Sequence, residues 1–490
     1  MNRALTLASS VAGAVVVALD GTLLTVAQPT LQRDLDASFA QVQWTTTGYL
    51  VAVAALLVFA GRLGDRYGHR RLFGVGMLGF GVVSAGIGLA PGIGWVIGLR
   101  IAQGVCGALL QPATLGMLRA AYPPDGLRTP LAVRTAAIGV AAAAGPVLGG
   151  ALVTELGWRA VFFLHVVPAL VFGLLALTAR TPEPPRAAVR LDLPGALLLA
   201  LSLAALVHGL AGVADSGGTA SAAPALAVAA VAGAAFVRHE RRAPHPLVPA
   251  DVVRPAAVGS ALGVLVTASA ALHGTLFVCV YLLQGPLGLD PFQSALRSLP
   301  LAVLMIAAAA VSPVLLRRTG ARRATVTATL VLAAGALLLS TASGTLALCT
   351  GFALVGAGFG TVMVAATHVV VRHAPAESAG VAGGLQQTAL NVGPALGVAA
   401  ATLLVTAGGL HTPLTAFAAL AAAGAAIGGA LPGRTRTHTP AAGGADGEPG
   451  SQGAGGGAGV EVGGRRGDVP GEGTETRAGL HDAPTGRAET

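Results

Sequence analysis

Residues 61–71 read Gly61-Arg62-Leu63-Gly64-Asp65-Arg66-Tyr67-Gly68-His69-Arg70-Arg71, a charged run set between two apolar stretches. Its last six residues have the pattern R-x-G-x-R-R. The pattern returns at Arg318-Thr319-Gly320-Ala321-Arg322-Arg323, 252 residues on from Arg66 to Arg318. At the same offset Gly104 matches Gly356 and Pro123 matches Pro375. At an offset of 248, Gly145-Pro146-Val147-Leu148-Gly149 matches Gly393-Pro394-Ala395-Leu396-Gly397. Four matches in one order mark an internal repeat. Repeats in a polytopic membrane protein place a substrate site at their interface, near the midplane, and allow one half to rock against the other.

The composition surrounding this repeat requires a membrane. Of 490 residues 54% are apolar and 10% charged, with mean hydropathy +0.73, whereas soluble proteins carry about 25% charged residues. Apolar runs long enough to span lie near 5–27, 45–61, 72–91, 93–118, 131–154, 158–179, 193–213 and 220–237. Six more lie near 257–284, 293–316, 324–342, 345–371, 378–407 and 411–431, which makes fourteen. The first has the outline of a signal peptide, with Arg3 before an apolar stretch. Asp20, however, interrupts the place for a cleavage site, so it reads as a true span.

The 30 basic residues are all arginine. With the N-terminus inside, loops on one side hold twenty arginines and loops on the other hold Arg33, Arg159 and Arg297, while Arg100 falls within a span. By the positive-inside rule both termini are cytoplasmic, and the net charge of +9 is topological rather than a nucleic-acid footprint. Without lysine the chain has no phosphate-binding loop, so ATP is not its energy source. Cys106, Cys279 and Cys349 sit singly in apolar runs, without metal or disulfide spacing. No H-E-x-x-H or G-x-S-x-G motif is present, so neither a zinc protease nor a serine hydrolase is indicated. No enzyme, cofactor or metal site is expected.

The repeat divides the chain into residues 1–185, a six-helix bundle, and 251–432, a second one, with two further helices in 186–250. Residues 433–490 read as a disordered cytoplasmic, glycine-rich tail.

Further motifs carry a resemblance. Leu19-Asp20-Gly21-Thr22 precedes Ala27-Gln28-Pro29, the 61–71 loop follows, and then come Arg100-Ile101-Ala102-Gln103-Gly104, Gly145-Pro146-Val147-Leu148-Gly149-Gly150 and Trp158-Arg159-Ala160-Val161-Phe162-Phe163 with Val167-Pro168. In this order the chain resembles the fourteen-helix drug:proton antiporters of the major facilitator superfamily. It departs from their pattern at Gln28, where leucine is usual, and at His165, where asparagine is usual. The resemblance implies an all-α fold of two six-helix bundles plus two inserted helices, monomeric in the plasma (inner) membrane. It also implies export of small amphipathic compounds, driven by protons through alternating access. A proton symporter that imports a metabolite, and a non-transporting sensor on the same fold, are the alternatives.

Asp20 and Arg100 are the two charges that topology does not explain. A carboxylate within a span is costly and by default functional, and its hold on a proton depends on whether a positive partner is near. At 1.5 Å per residue the two lie at similar depth, so they can pair and form a proton switch. Otherwise Asp20 caps a helix break at Gly21 and Arg100 is a structural clamp. The resemblance makes Gly61, Asp65, Arg66, Gly68 and Arg70 a cytoplasmic latch, and Gly145, Pro146, Gly149 and Gly150 an antiporter motif that accompanies export. Gln103, His208, His273, Gln386, Gln387 and Asn391 are polar groups in spans and candidates for the cavity. Trp44, Tyr49, Trp95 and Trp158 suit an interfacial aromatic belt.

Overall fold

In a computed structural model, residues 3–123, 126–178, 192–214, 219–244, 246–247, 255–342, 344–373 and 379–431 are described. Among them every regular element is a helix: α1 (Arg3–Asp34), α2 (Phe39–Tyr67), α3 (His69–Gly88), α4 (Ile93–Ala121), α5 (Arg128–Leu156), α6 (Trp158–Phe163), α7 (Val166–Thr178), α8 (Leu193–Ala214) and α9 (Thr219–Glu240). They continue as α10 (Ala256–Gln284), α11 (Pro291–Thr319), α12 (Ala321–Thr341), α13 (Thr345–His373), α14 (Ala379–Gly408) and α15 (Thr412–Gly429). Among the described residues fourteen spans are long and apolar enough to cross a membrane, α6 and α7 together forming the sixth. In lipid an unpaired backbone amide costs several kcal/mol, which is why spanning segments close their hydrogen bonds within a helix. The C-terminal tail and the boundary between the first bundle and α8 lie outside the described residues.

The repeat is visible in the packing. In the first half α1 packs on α5, α2 on α4, and α3 on α4 and α7. In the second half α10 packs on α14, α11 on α13, and α12 on α13 and α15. The matched glycines make the matched approaches. A Cβ at Gly104 would lie 2.5 Å from Tyr49 O on α2, and one at Gly356 would collide with Leu301 O on α11. Gly145 and Gly149 close on Thr22 and Leu23 of α1 as Gly393 and Gly397 close on Ser269 and Ala270 of α10. Gly68 and Gly320, the glycines of the two R-x-G-x-R-R loops, both take positive φ, 96° and 82°, a region from which a side chain is sterically excluded. Lipid tails are as apolar as leucine, so helices in a bilayer are held by such close packing rather than by exclusion from water.

The halves meet along α2–α14 and α5–α11, with α1 against α10, while α8 packs on both α2 and α14 and is backed by α9. Val51 and Ala54 of α2, Leu203 and Val207 of α8, and Ala395 and Ala399 of α14 form one apolar cluster. The inserted pair therefore covers the α2–α14 seam. Asp192 caps α8 by accepting from Gly195 N at 3.0 Å and pairs with His239 of α9 at 2.7 Å.

Two expected belt residues are instead buried. Trp158 packs inside the first half, with its indole Nε1 donating to Asp34 Oδ2 at 2.8 Å. Tyr49 is buried under α4. A position near the end of a span lies on the lipid belt only if it faces outward, and both of these face other helices. Trp95 is exposed, as a belt residue is.

Candidate functional site

Helix α1 runs unbroken through Gly21, with Pro29 inside it, so Asp20 caps nothing. The structure brings Asp20 to Arg100, with Arg100 Nη1 2.7 Å from Asp20 Oδ2 and both side chains only 1% exposed. The same arginine gives Nε to Thr45 O at 2.8 Å and Nη1 to Gln103 Oε1, and its guanidinium lies 4.4 Å from the centre of the Tyr49 ring. Gln103 Nε2 donates to Asp20 Oδ1 at 3.2 Å and to Ser84 Oγ at 2.8 Å. Four helices, α1 to α4, thus supply one closed polar network. Burying two ions costs several kcal/mol each, and only good pairing with added hydrogen bonds offsets it. The extra donors and acceptors here meet that condition.

His165, in the turn between α6 and α7, lies within electrostatic reach of this pair. It is 1% exposed and stacks edge-on against Phe80 at 5.8 Å. Neither ring nitrogen makes a well-aligned hydrogen bond among the described residues, the carbonyls of Phe162 and Val161 being its nearest backbone acceptors. The sequence marked His165 only as a departure from a pattern; its burial beside the ion pair was not visible there.

A cavity of about 210 Å³ lies between the halves, walled by α1 and α5 on one side and by α10, α11 and α13 on the other. Thr22, two residues beyond Asp20, lines it, as do Pro146, His273, Gln284, Phe352 and Phe359. Of the polar residues proposed from sequence, His273 is in this lining, while Gln103 belongs to the ion-pair network. The other four do not line this cavity. Gln386 donates to Thr367 Oγ1 at 2.6 Å and Asn391 to Gln387 O at 2.7 Å. His208 is exposed on α8 near Trp44.

At the arginine-poor end of the cavity, specific contacts join the halves. Phe39 packs against Phe277 and Tyr281 with ring centres 5.1 and 4.5 Å apart, and Gln284 Nε2 donates to Val26 O at 3.1 Å. Gly150 of α5 abuts the backbone of α11, where a Cβ would lie 2.8 Å from Phe292 Cα. Gly145 and Gly149 face α1, so the three glycines of one motif serve two different interfaces.

At the arginine-rich end Asp65 pairs with His69 at 3.0 Å, and the His69 ring sits between Gly64 and Gly116. Arg62 Nη2 donates to Pro246 O at 2.7 Å, and Arg70 donates to Ala176 O near the C-terminus of α7, where a cation is favoured by the helix dipole. Gly61 is not tightly enclosed, since a Cβ there would meet only Pro112 at 3.7 Å.

A family model described as the Major Facilitator Superfamily matches residues 11–398. The chain belongs to the Major Facilitator Superfamily. It is therefore a multi-pass membrane transporter and not an enzyme. It is 42% identical to a tetracenomycin C resistance and export protein of Streptomyces glaucescens over 409 residues, covering 82% of this chain and 75% of that one. It is 34% identical to a puromycin resistance protein of Streptomyces alboniger, covering 79% of each. A multidrug efflux pump of Mycolicibacterium smegmatis is 31% identical, covering 86% of this chain and 87% of the pump. Among solved structures, a bacterial homologue of the human lysosomal transporter Spinster superposes with TM-score 0.63 at 16% identity, covering 87% of this chain and 96% of that one. That likeness shows the fold.

Proposed function

We propose that this facilitator exports small amphipathic organic compounds in exchange for protons, by alternating access between its two halves. The observation that carries the reading is the buried Asp20–Arg100 pair, set on the same helix as the cavity-lining Thr22. When Arg100 holds Asp20 the carboxylate is favoured. When a movement of α4 against α1 separates them, a proton takes the place of the guanidinium. Because α1 also walls the cavity, occupancy of the cavity and protonation of Asp20 act on one rigid element. Export is supported by the names of the relatives, which are resistance, export and efflux proteins.

The arginine-rich loops lie in the cytoplasm, with both termini, in the inner membrane of a bacterial cell. The arginine-poor contacts through Phe39, Gln284 and Gly150 form the outer gate, closed in this conformer. The loop holding Gly61, Asp65, Arg66, Gly68 and Arg70 anchors the inner ends of the first bundle, with Asp65 held by His69 in this state. The bundles divide as residues 1–185 and 251–432, with α8 and α9 between them.

The test is dye accumulation and drug resistance in an exporter-deficient bacterial host carrying wild type or Asp20→Asn. Wild type should lower accumulation, lose that effect when a protonophore is added, and raise resistance, while Asp20→Asn should do neither at equal expression. Wild-type cells that accumulate more compound than the empty host would overturn the export reading.

A further inference from the structure

The cavity between the halves is lined by six polar side chains, Thr22, Thr25, His273, Gln284, Ser294 and Ser298, within an otherwise apolar wall. What they can offer a molecule is decided by the hydrogen bonds they already make. A backbone carbonyl only accepts, so any side chain facing one has given it a proton. Thr22 Oγ1 donates to Leu19 O at 3.0 Å, Thr25 Oγ1 to Gly21 O at 2.9 Å, and Ser298 Oγ to Ala295 O at 2.9 Å. His273 Nδ1 lies 3.0 Å from Ser269 O, so Nδ1 carries the hydrogen, and because no carboxylate among the described residues lines the cavity to hold the buried ring in its charged form, Nε2 is an acceptor. A hydroxyl or a neutral imidazole has a single donor. These four side chains therefore present lone pairs alone.

Gln284 and Ser294 turn into the protein rather than into the open cavity. Gln284 Nε2 donates to Val26 O, and Gln284 Oε1 and Ser294 Oγ are enclosed by protein atoms, with no surface left for an occupant to touch. Among the described residues that line the cavity none is an aspartate, glutamate or arginine. A permanent cation entering here would leave water without a counter-charge, at a cost that grows in a low dielectric. Phe352 and Phe359 of α13 add aromatic walls.

We propose that this cavity selects hydrogen-bond donors: its occupant is an apolar aromatic compound that carries hydroxyl groups and no permanent positive charge, with His273 Nε2 as a principal acceptor. This rests on the efflux reading for the cavity's role but concerns which molecules bind. The arrangement is a consequence of building a cavity from helices. Serine and threonine in a span return their hydrogens to the preceding turn, and what remains facing inward is acceptor capacity.

The experiment uses the full chain in lipid nanodiscs and measures binding of a naphthalenediol, its dimethyl ether, naphthalene and tetraphenylphosphonium. The diol should bind roughly three- to tenfold more tightly than either the ether or naphthalene, the factor that one net hydrogen bond supplies, and tetraphenylphosphonium should bind more weakly than the diol. In His273→Phe that preference should shrink while naphthalene binding holds, and His273→Gln, which retains an acceptor, should restore part of it. Equal binding of diol and ether, or tighter binding of the cation than of the diol, overturns the proposal. So does a preference unchanged in His273→Phe, which would remove His273 from the recognition. The same compounds in proteoliposomes separate the two readings. A diol preference without proton-driven transport sustains the proposal and refutes efflux, whereas transport of tetraphenylphosphonium in preference to the diol sustains efflux and refutes the proposal.

Discussion

Gly150→Ala should unlock the arginine-poor end of the transporter without replacing a residue of the ion pair or of the cavity lining. The added Cβ would lie 2.8 Å from both Phe292 Cα and Pro291 O. Ordinary contact begins near 3.4 Å, so α5 and α11 must part by about 0.6 Å. The obstructing atoms are backbone and cannot turn aside. Overpacking of this kind costs about 1–3 kcal/mol. The cost falls only on the conformer in which the two helices touch, so its population relative to the separated one should drop by roughly 5- to 150-fold. Cys279 reports on this. It lines the cavity and is 1% exposed in the closed conformer. With Cys106 and Cys349 replaced by alanine, labelling of Cys279 by an impermeant maleimide applied from the arginine-poor side should accelerate several-fold in Gly150→Ala. Gly98→Ala, where a Cβ meets nothing within 4 Å, is the control and should label at the parent rate. A labelling rate in Gly150→Ala equal to the parent's, at equal expression, would refute the claim that this glycine holds the gate.

Other expectations concern packing and burial. Gly104→Ala drives a Cβ to 2.5 Å from Tyr49 O and should lower stability by about 1–3 kcal/mol in a detergent melting assay, whereas Gly61→Ala should be neutral although it belongs to a more conspicuous motif. Arg100→Leu leaves Asp20 buried without its partner and should cost about 3–5 kcal/mol; the double variant Asp20→Asn with Arg100→Leu should recover much of that, and a double variant no more stable than the single would contradict the pairing. His165→Leu removes two buried nitrogens that make no well-aligned hydrogen bond, and since a poorly satisfied buried polar group costs about 1–3 kcal/mol, the melting temperature should hold or rise; a sharp fall would show that its contacts to the Phe162 and Val161 carbonyls stabilise the fold.

Much of the architecture was legible because its causes are local or periodic. Span length, the side on which arginines fall and the offset between two R-x-G-x-R-R loops need no tertiary information, and the glycines matched by offset do make equivalent helix approaches. That Asp20 and Arg100 could meet was legible from their similar depth, because two opposed helices of fixed rise bring residues at one level into reach; that they do meet depends on both facing inward. What failed to show was orientation about the helix axis. Trp158 and Tyr49 sit at the right heights for an aromatic belt but face inward. Gln103 lies one turn from Arg100, and that rotation puts it in the ion-pair network and not in the cavity lining. The junction of Phe39 with Phe277 and Tyr281 joins residues far apart in sequence and carries no motif. Which side-chain donors are already occupied is likewise a property of rotamers, invisible in a string of letters.

The central claim is that Asp20 couples protons to substrate movement, and it is tested most directly by purified protein in proteoliposomes. Transport of one exported compound is measured twice, once under an imposed pH gradient and once as counterflow with no gradient. Asp20→Asn should lose gradient-driven accumulation while it retains counterflow. Accumulation by Asp20→Asn equal to that of wild type under the gradient would contradict it.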